Sequence, residues 1–238
     1  MSGPRIYFAG VNTQHLCSAF AGHHVLESYA DGGGRKLLER YRPTFASVAL
    51  DCGAYSEMTT GKPIDLAAYI DFCLEHAAGY SWVASLDVIG GGPEENVKNW
   101  QSMLAAGVEA IPTFHQGEPF SLLSDYCAAA KRIGLGFKRP IQNARPWLSE
   151  CFARIPAGFP VHGWAMTAYT DFPFDSVDSR TWFFEMRALM SVEGQGADAL
   201  RCLTPGELLE IVIKKYERLP LRERWEGKAA QLPLLEAV

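Results

Sequence analysis

The sequence predicts an α/β protein, a (β/α)8 TIM-like barrel with additional C-terminal helices. Three observations carry this expectation. Short β-prone runs alternate with helical patterns through most of the chain. There are eight such runs, the number that closes a barrel of parallel strands. The turn after the first run reads "FAGVNTQ" and lacks the GxGxxG fingerprint normally seen there in a doubly wound open sheet, the alternative architecture.

Ile6–Ala9 is the first predicted strand, followed by Val25–Tyr29 and Ser47–Leu50. Between the last two, Arg35–Tyr41 carries Leu37, Leu38 and Tyr41 at helical spacing. Asp65 is a natural N-cap for Leu66–His76, where Leu66, Tyr69, Ile70, Cys73 and Leu74 fall on one stripe. Trp82–Leu86 is the fourth strand, and a Gly-Gly-Gly-Pro turn leads into a helix over Glu94–Ala106. Strand Ala110–Phe114, helix Leu122–Lys131, strand Ile133–Gly136 and helix Pro146–Arg154 continue the alternation. Val161–Ala165 and Phe174–Val177 supply the last two strands. After Trp182 the pattern becomes helical over Phe183–Met190, and "GQGAD" reads as a loop. Thr204-Pro-Gly-Glu is then a capping box with proline at the first helical position, followed by Leu208, Leu209, Val212, Ile213 and Tyr216 at helical spacing. The expected organisation is a catalytic barrel over residues 1–182 and a helical extension over 183–238 packed on it.

The bulk composition narrows the function classes. With 238 residues, 48% of them hydrophobic, the chain can bury one substantial core. No apolar stretch reaches the ~18 residues of a membrane span. The start "MSGPRIYFAG" lacks the pattern of a signal peptide, so a cytoplasmic location is expected. The six cysteines form no CxxC pair, which argues against a disulfide framework or a four-cysteine zinc site. No metal or cofactor is expected. A net charge of -5 argues against coating nucleic acid through bulk charge, but leaves room for a local basic face.

In such a barrel, chemistry sits at the C-terminal ends of the strands. There the sequence offers Asp51, Cys52, Gly53 and Tyr55 in "LDCGAYS", Asp87 in "SLDVIGGG", and His115, Gln116 and Glu118 in "TFHQGE". Further round come Lys138 and Arg139 in "GLGFKR", then Asp178 and Arg180 in "DSVDSR". One aspartate alone reads as a turn former, but three at one mouth would repel each other unless each had a task or a partner. "IGGG" reads as a plain turn, because it lacks the Lys-Ser/Thr of a P-loop. Cys52 has no base beside it in sequence, His162 reads as structural, and His23 and His24 begin a strand at the opposite end. Lys62, Lys138, Arg139, Arg145 and Arg180 would form a phosphate-binding rim.

The segments "LDCGAYSEMTTGKPIDLAAYIDFC", "SLDVI", "IPTFHQGE", "GLGFK", "HGWAMT" and "FDSVDSRTW" resemble compact, phage-type members of the tRNA-guanine transglycosylase superfamily, relatives of DNA 7-deazaguanine transglycosylases. The resemblance runs from Ile6 to Trp182, about three quarters of the chain. It implies a barrel that exchanges guanine for a 7-deazaguanine base through a covalent aspartyl-glycosyl intermediate. A phage-encoded member would act in the host cytoplasm. On this resemblance Asp51 is the acid/base aspartate, Asp87 binds the base with Gln116 or His115, and Gly134 and Gly136 line the pocket floor. The nucleophile is Asp175 if "FDSV" aligns with the family's Phe-Asp-Cys-Val segment, or Asp178 if the aspartate of "VDS" is meant. Strand-end placement favours Asp178. The family's Cys-x-Cys-x-x-Cys…His zinc segment is absent, which favours DNA over tRNA as the partner.

The residues suit this chemistry without the family. One carboxylate can trap an oxocarbenium-like centre, and a second carboxyl can protonate the departing purine. Three alternatives remain: exchange or hydrolysis on tRNA or a nucleoside, an inactive barrel acting as a binding subunit, and a metal-dependent hydrolase with Asp51, Asp87 and His115 as ligands.

Overall fold

The computed structural model describes residues 3–32, 35–137, 142–190 and 204–217. Lys138, Arg139, the "GQGAD" segment and the tail after Leu219 lie outside them. The strands are β1 (Arg5–Ala9), β2 (His24–Ser28), β3 (Ser47–Asp51), β4 (Val83–Ala84), β5 (Ala110–Ile111), β6 (Thr113–His115), β7 (Ile133–Gly136), β8 (Val161–Gly163) and β9 (Ser176–Ser179). Their order is β5-β4-β3-β2-β1-β9-β8-β7-β6, and the paired neighbours run parallel.

β5 and β6 are one strand interrupted at Pro112, which has no N–H to give a ladder. On one side the Ser85 N–H donates to the Ile111 carbonyl at 2.8 Å. On the other the Gly134 N–H donates to the Pro112 carbonyl at 2.8 Å. The broken strand thus passes its pairing from β4 to β7, and the nine segments make the eight staves of a TIM-like barrel.

Side chains alternate in and out along each strand. Phe8, Val25, Val48, Leu50, Val83, Phe114, Leu135 and Val177 point outward into the layer under the helices. Tyr7, Leu26, Ala49, Trp82, Ala84 and Ile111 fill the inside. The interior is packed rather than hollow, as expected of this fold. The Trp82 ring lies 4.7 Å from His162, and Trp164 lies 4.5 Å from His162 on another side. Nearer the N-terminal end, the Tyr7 hydroxyl sits between the Ser47 and Ser81 hydroxyls, 3.0 Å from each. This polar girdle satisfies a buried phenol that apolar packing alone would leave unpaired.

Local signals place the helices. The Asp65 side chain caps its helix by accepting from the Ala68 N–H at 2.8 Å. The Thr204 capping box forms in both directions: Glu207 N–H donates to Thr204 Oγ1 at 3.3 Å, and Thr204 N–H donates to Glu207 Oε2 at 2.7 Å. That helix, Pro205–Glu217, packs against Thr181–Met190 and Gln14–Ala19. Its Tyr216 ring reaches to 5.8 Å from Phe8. Thr181–Met190 follows β9 directly as the barrel's eighth helix, so the boundary expected after Trp182 falls inside a helix.

Four elements differ from the sequence expectation. The fourth strand pairs only at Val83–Ala84. The last strand is Ser176–Ser179, not Phe174–Val177. The Phe174 N–H donates to the Phe172 carbonyl at 2.8 Å, so the apolar residues there lie in a turn, and strand pairing begins with Ser176 opposite Arg5. Two short helices, Gln14–Ala19 and Ala54–Thr60, are too brief to show a period in sequence. Among the described residues, no helix is long and apolar enough to cross a membrane.

Candidate active site

The site lies at the C-terminal ends of the strands. Asp51 ends β3, two residues after the inward-facing Ala49, so its carboxyl turns into the mouth. The next residues turn sharply. Gly53 adopts φ 92°, and a Cβ there would lie 2.5 Å from the Ala30 Cβ, so only glycine fits. Burial, then the charge of Asp178, pushes the Asp51 carboxyl up to about 7. The Gly53 N–H opposes this only in part, and Asp87 adds to it. Asp51 therefore exchanges a proton near neutral pH.

Asp178 stands on β9 opposite the inward-facing Tyr7. It is 9% exposed. Its Oδ1 accepts the Ala165 N–H at 2.7 Å and lies 3.3 Å from His162 Nε2. Ala165 holds φ 54°, a left-handed conformation that costs an L-residue about 1–2 kcal/mol. That strained residue is what aims the N–H at the carboxylate.

Asp87 lies beyond β4 and meets His115, the last residue of β6. His115 Nε2 is 2.9 Å from Asp87 Oδ2, and Nδ1 is 3.3 Å from Glu118 Oε1. Glu118 also accepts the His115 backbone N–H at 2.8 Å. Burial opposes the charged imidazole, but the hydrogen bonds and charges of Asp87 and Glu118 outweigh it and lift His115 to about 10. His115 is thus an imidazolium clamped between two carboxylates. Asp87 Oδ1 is buried and accepts no hydrogen bond from the described residues. An orphaned, buried carboxylate oxygen at a barrel mouth is an acceptor waiting for a donor.

Two glycines make room for this arrangement. A Cβ on Gly136 would lie 2.9 Å from His115 Cδ2. A Cβ on Gly134 would collide with the Trp164 indole, whose Nε1–H donates to Thr113 Oγ1 at 3.0 Å. Gln116 is tied to the neighbouring loop: its Nε2 donates to the Gln142 carbonyl at 2.5 Å. Tyr55, in the first turn of Ala54–Thr60, is 55% exposed beside the mouth. Cys52 is buried, and burial with the charge of Asp51 pushes its thiol well above the ordinary range, so it is no nucleophile.

Asp175 is elsewhere. It precedes β9 at the N-terminal end and takes two hydrogen bonds from Arg5, at 2.7 and 2.5 Å, as well as an ion pair with Arg132. Burial raises its carboxyl, but Arg132 and Arg5 outweigh that and hold it low. The alternative that made Asp175 the nucleophile is corrected on this ground: its oxygens are occupied, at the wrong end of the barrel.

Of the expected basic rim, Lys62, Arg145 and Arg180 lie among the described residues. Arg145 is engaged bidentately with Asp171, at 2.7 and 3.2 Å. Arg180 is exposed just beyond β9, beside Gly10, with no ion pair among the described residues. Lys62 is exposed after Ala54–Thr60.

Two neighbours of the site were given no role in sequence, although Glu118 was named among the strand-end residues. Glu118 joins through a three-residue turn, a spacing that could have been read as a carboxylate facing His115. His162 was read as structural. Its strand parity, opposite to the outward-facing Val161, puts it inside the barrel under Asp178. A separate cavity of about 360 Å³, lined by Ala19, His23, Leu209, Ile213 and Lys214 among others, lies among the outer helices, away from all of these carboxylates.

The fold and the site define a TIM barrel with a carboxylate-lined mouth. The sequence matches no family model and no curated protein. Among solved structures, a chain of the tryptophan synthase α2β2 complex from the hyperthermophile Pyrococcus furiosus superposes with a TM-score of 0.51 at 12% identity, over 92% of this chain and 98% of that one. The carboxyl transferase domain of Rhizobium etli pyruvate carboxylase gives 0.49 at 11% identity, over 91% of this chain and 48% of that one. At these identities the likeness concerns the fold.

Proposed function

We propose that this protein is a base-exchange transglycosylase. It would replace guanine in DNA by a 7-deazaguanine base through a covalent aspartyl-glycosyl intermediate. The observation that carries the proposal is the contrast between two carboxyls at one mouth. Asp51 is driven to about 7 by burial and by Asp178, whereas Asp178 is anchored by a backbone N–H. One group is ready to move a proton, and the other is fixed in position.

The chemistry follows from that division. An Asp178 oxygen attacks the sugar C1′ as the C1′–N9 bond breaks. The electron pair goes to N9, which takes the Asp51 proton. The incoming base then gives its N9 proton to Asp51 and attacks C1′, expelling the Asp178 carboxylate. The pKa of about 7 suits a group that must be acid in one half-reaction and base in the other. The orphaned Asp87 Oδ1 would accept an N–H of the purine, with His115⁺ holding the other carboxylate oxygen. A duplex base must be flipped out to reach such a site. Among the described residues, Arg180 and Lys62 are exposed cations that would meet flanking phosphates.

The test is incorporation of a labelled 7-deazaguanine into DNA and into tRNA, in parallel. Label in DNA nucleosides that is lost in Asp51→Asn and Asp178→Ala supports the proposal. Label in tRNA alone moves the substrate to RNA, and label in neither polymer rejects base exchange.

A further inference from the structure

We propose that His162 is a positioning residue, locked as the Nε2–H tautomer so that it presents one N–H to Asp178 from inside the barrel. The assignment follows from a chain of groups running from the N-terminal end to the mouth. Arg132 Nη1 pairs with Asp175 and reaches Ser176 Oγ at 3.4 Å. A guanidinium only donates, so Ser176 Oγ accepts from it. The serine hydroxyl hydrogen is then free for its other neighbour, His162 Nδ1, at 2.9 Å. A hydroxyl oxygen can accept twice, so the direction is set by both ends of the ring together: Ser176 can donate to Nδ1, and the Asp178 carboxylate beside Nε2 can only accept, which places the ring proton on Nε2. Nε2 lies 3.3 Å from Asp178 Oδ1 and meets no fully aligned hydrogen-bond partner. A short adjustment of the carboxylate, of the kind that accompanies bond formation at its other oxygen, completes the contact.

Three features keep the ring in this role. His162 is completely buried. Burial, its largest influence, lowers its pKa and keeps it neutral despite Asp178. The ring is also wedged between Trp82 at 4.7 Å and Trp164 at 4.5 Å, which opposes a flip that would exchange the two nitrogens. A neutral donor suits a nucleophile. It fixes the rotamer of Asp178 without pairing it with a full positive charge, which would blunt its attack.

The tautomer claim is independent of the reaction; the kinetic claim rests on the base-exchange reading. The full-length protein with ¹⁵N-labelled histidine is examined by long-range ¹H–¹⁵N NMR, and the His162 signals are assigned by their loss in His162→Gln. The expected result is an unprotonated Nδ1 and a protonated Nε2. An Nδ1–H tautomer or an imidazolium overturns the proposal even if no exchange activity is ever found. Ser176→Ala is expected to yield a tautomer mixture, and an unchanged spectrum there also overturns it. In single turnover, His162→Leu is expected to slow glycosyl-enzyme formation about 30-fold, while His162→Gln, which keeps an N–H near the Nε2 position, stays within about 5-fold of the parent. DNA binding should not change in either. Equal slowing in both variants would mean a packing role only. Absence of exchange in the parent protein would reject the base-exchange reading and leave the NMR result to decide the tautomer. If His162→Leu does not fold, the Ser176→Ala spectrum carries the test.

Discussion

Asp175 and Asp178 are three residues apart, yet they have opposite environments. Asp175 is held by Arg5 and Arg132 at the N-terminal end of the barrel. Asp178 faces the interior at the other end, where it meets a strained backbone N–H, a neutral imidazole and a second carboxyl. The first arrangement satisfies a charge. The second leaves it under-neutralised next to Asp51. In this fold the two ends divide stability from chemistry, and one short segment spans both. A carboxylate matched by two arginines is a structural brace; one held by weak neutral donors remains available to react.

The largest effect should come from reversing that comparison by mutation. Asp178→Ala is expected to reduce exchange at least ~1000-fold while the protein stays folded. Asp175→Asn should leave the rate per folded molecule within a few-fold, but cost about 1–3 kcal/mol of stability, because Arg132 is left without its partner. Denaturant melts and single-turnover assays on both variants separate the two outcomes.

Asp51→Asn should decrease exchange by about 100-fold or more. Its effect on stability has the opposite sign. A carboxyl raised from 3.8 to about 7 contributes stability that is fully present below the unfolded value and is lost as pH rises through about 7. The wild type therefore loses stability between about pH 4 and pH 7, on the order of 2–4 kcal/mol at most. Asn has no such loss, so the variant should be the more stable protein at pH 8, as read by urea midpoints across pH.

His115 gives a smaller effect in a different window. Raised to about 10, it contributes stability that is complete below about 6.5 and is lost as pH rises through about 10. His115→Gln should flatten the decline between those values and weaken purine binding several-fold by releasing Asp87. The smallest effect is expected at Arg180. Its replacement by alanine should weaken DNA binding a few-fold and reduce the salt-dependence slope by about one, with little change in the chemical step.

Much of this architecture was legible in the sequence, because alternation and strand count are local properties. Asp51, Asp87, His115 and Asp178 stand out because each follows or ends an apolar run. What was not legible depends on partners distant in the chain. The last strand was expected two residues early, over Phe174–Val177, because the inward residues of β9, Ser176 and Asp178, serve a polar network instead of an apolar core. The fifth strand's break at Pro112 is visible as a proline, but its consequence, passing pairing from β4 to β7, belongs to the closed barrel. Arg145 looked like a rim cation until Asp171, 26 residues away, was found to occupy it. His162 looked structural because its role depends on Ser176 below, Asp178 above and two tryptophans around it.

The central claim is that Asp178 forms a bond to sugar C1′. The direct measurement is to incubate the protein with guanine-containing DNA in the absence of an acceptor base, denature it, digest both polymers and map the nucleotide-bearing peptide by mass spectrometry. The account predicts an adduct on Asp178 that disappears when a 7-deazaguanine is added before denaturation. An adduct on Asp175 or Asp51, or exchange proceeding with no adduct on Asp178 and undiminished in Asp178→Ala, would contradict it.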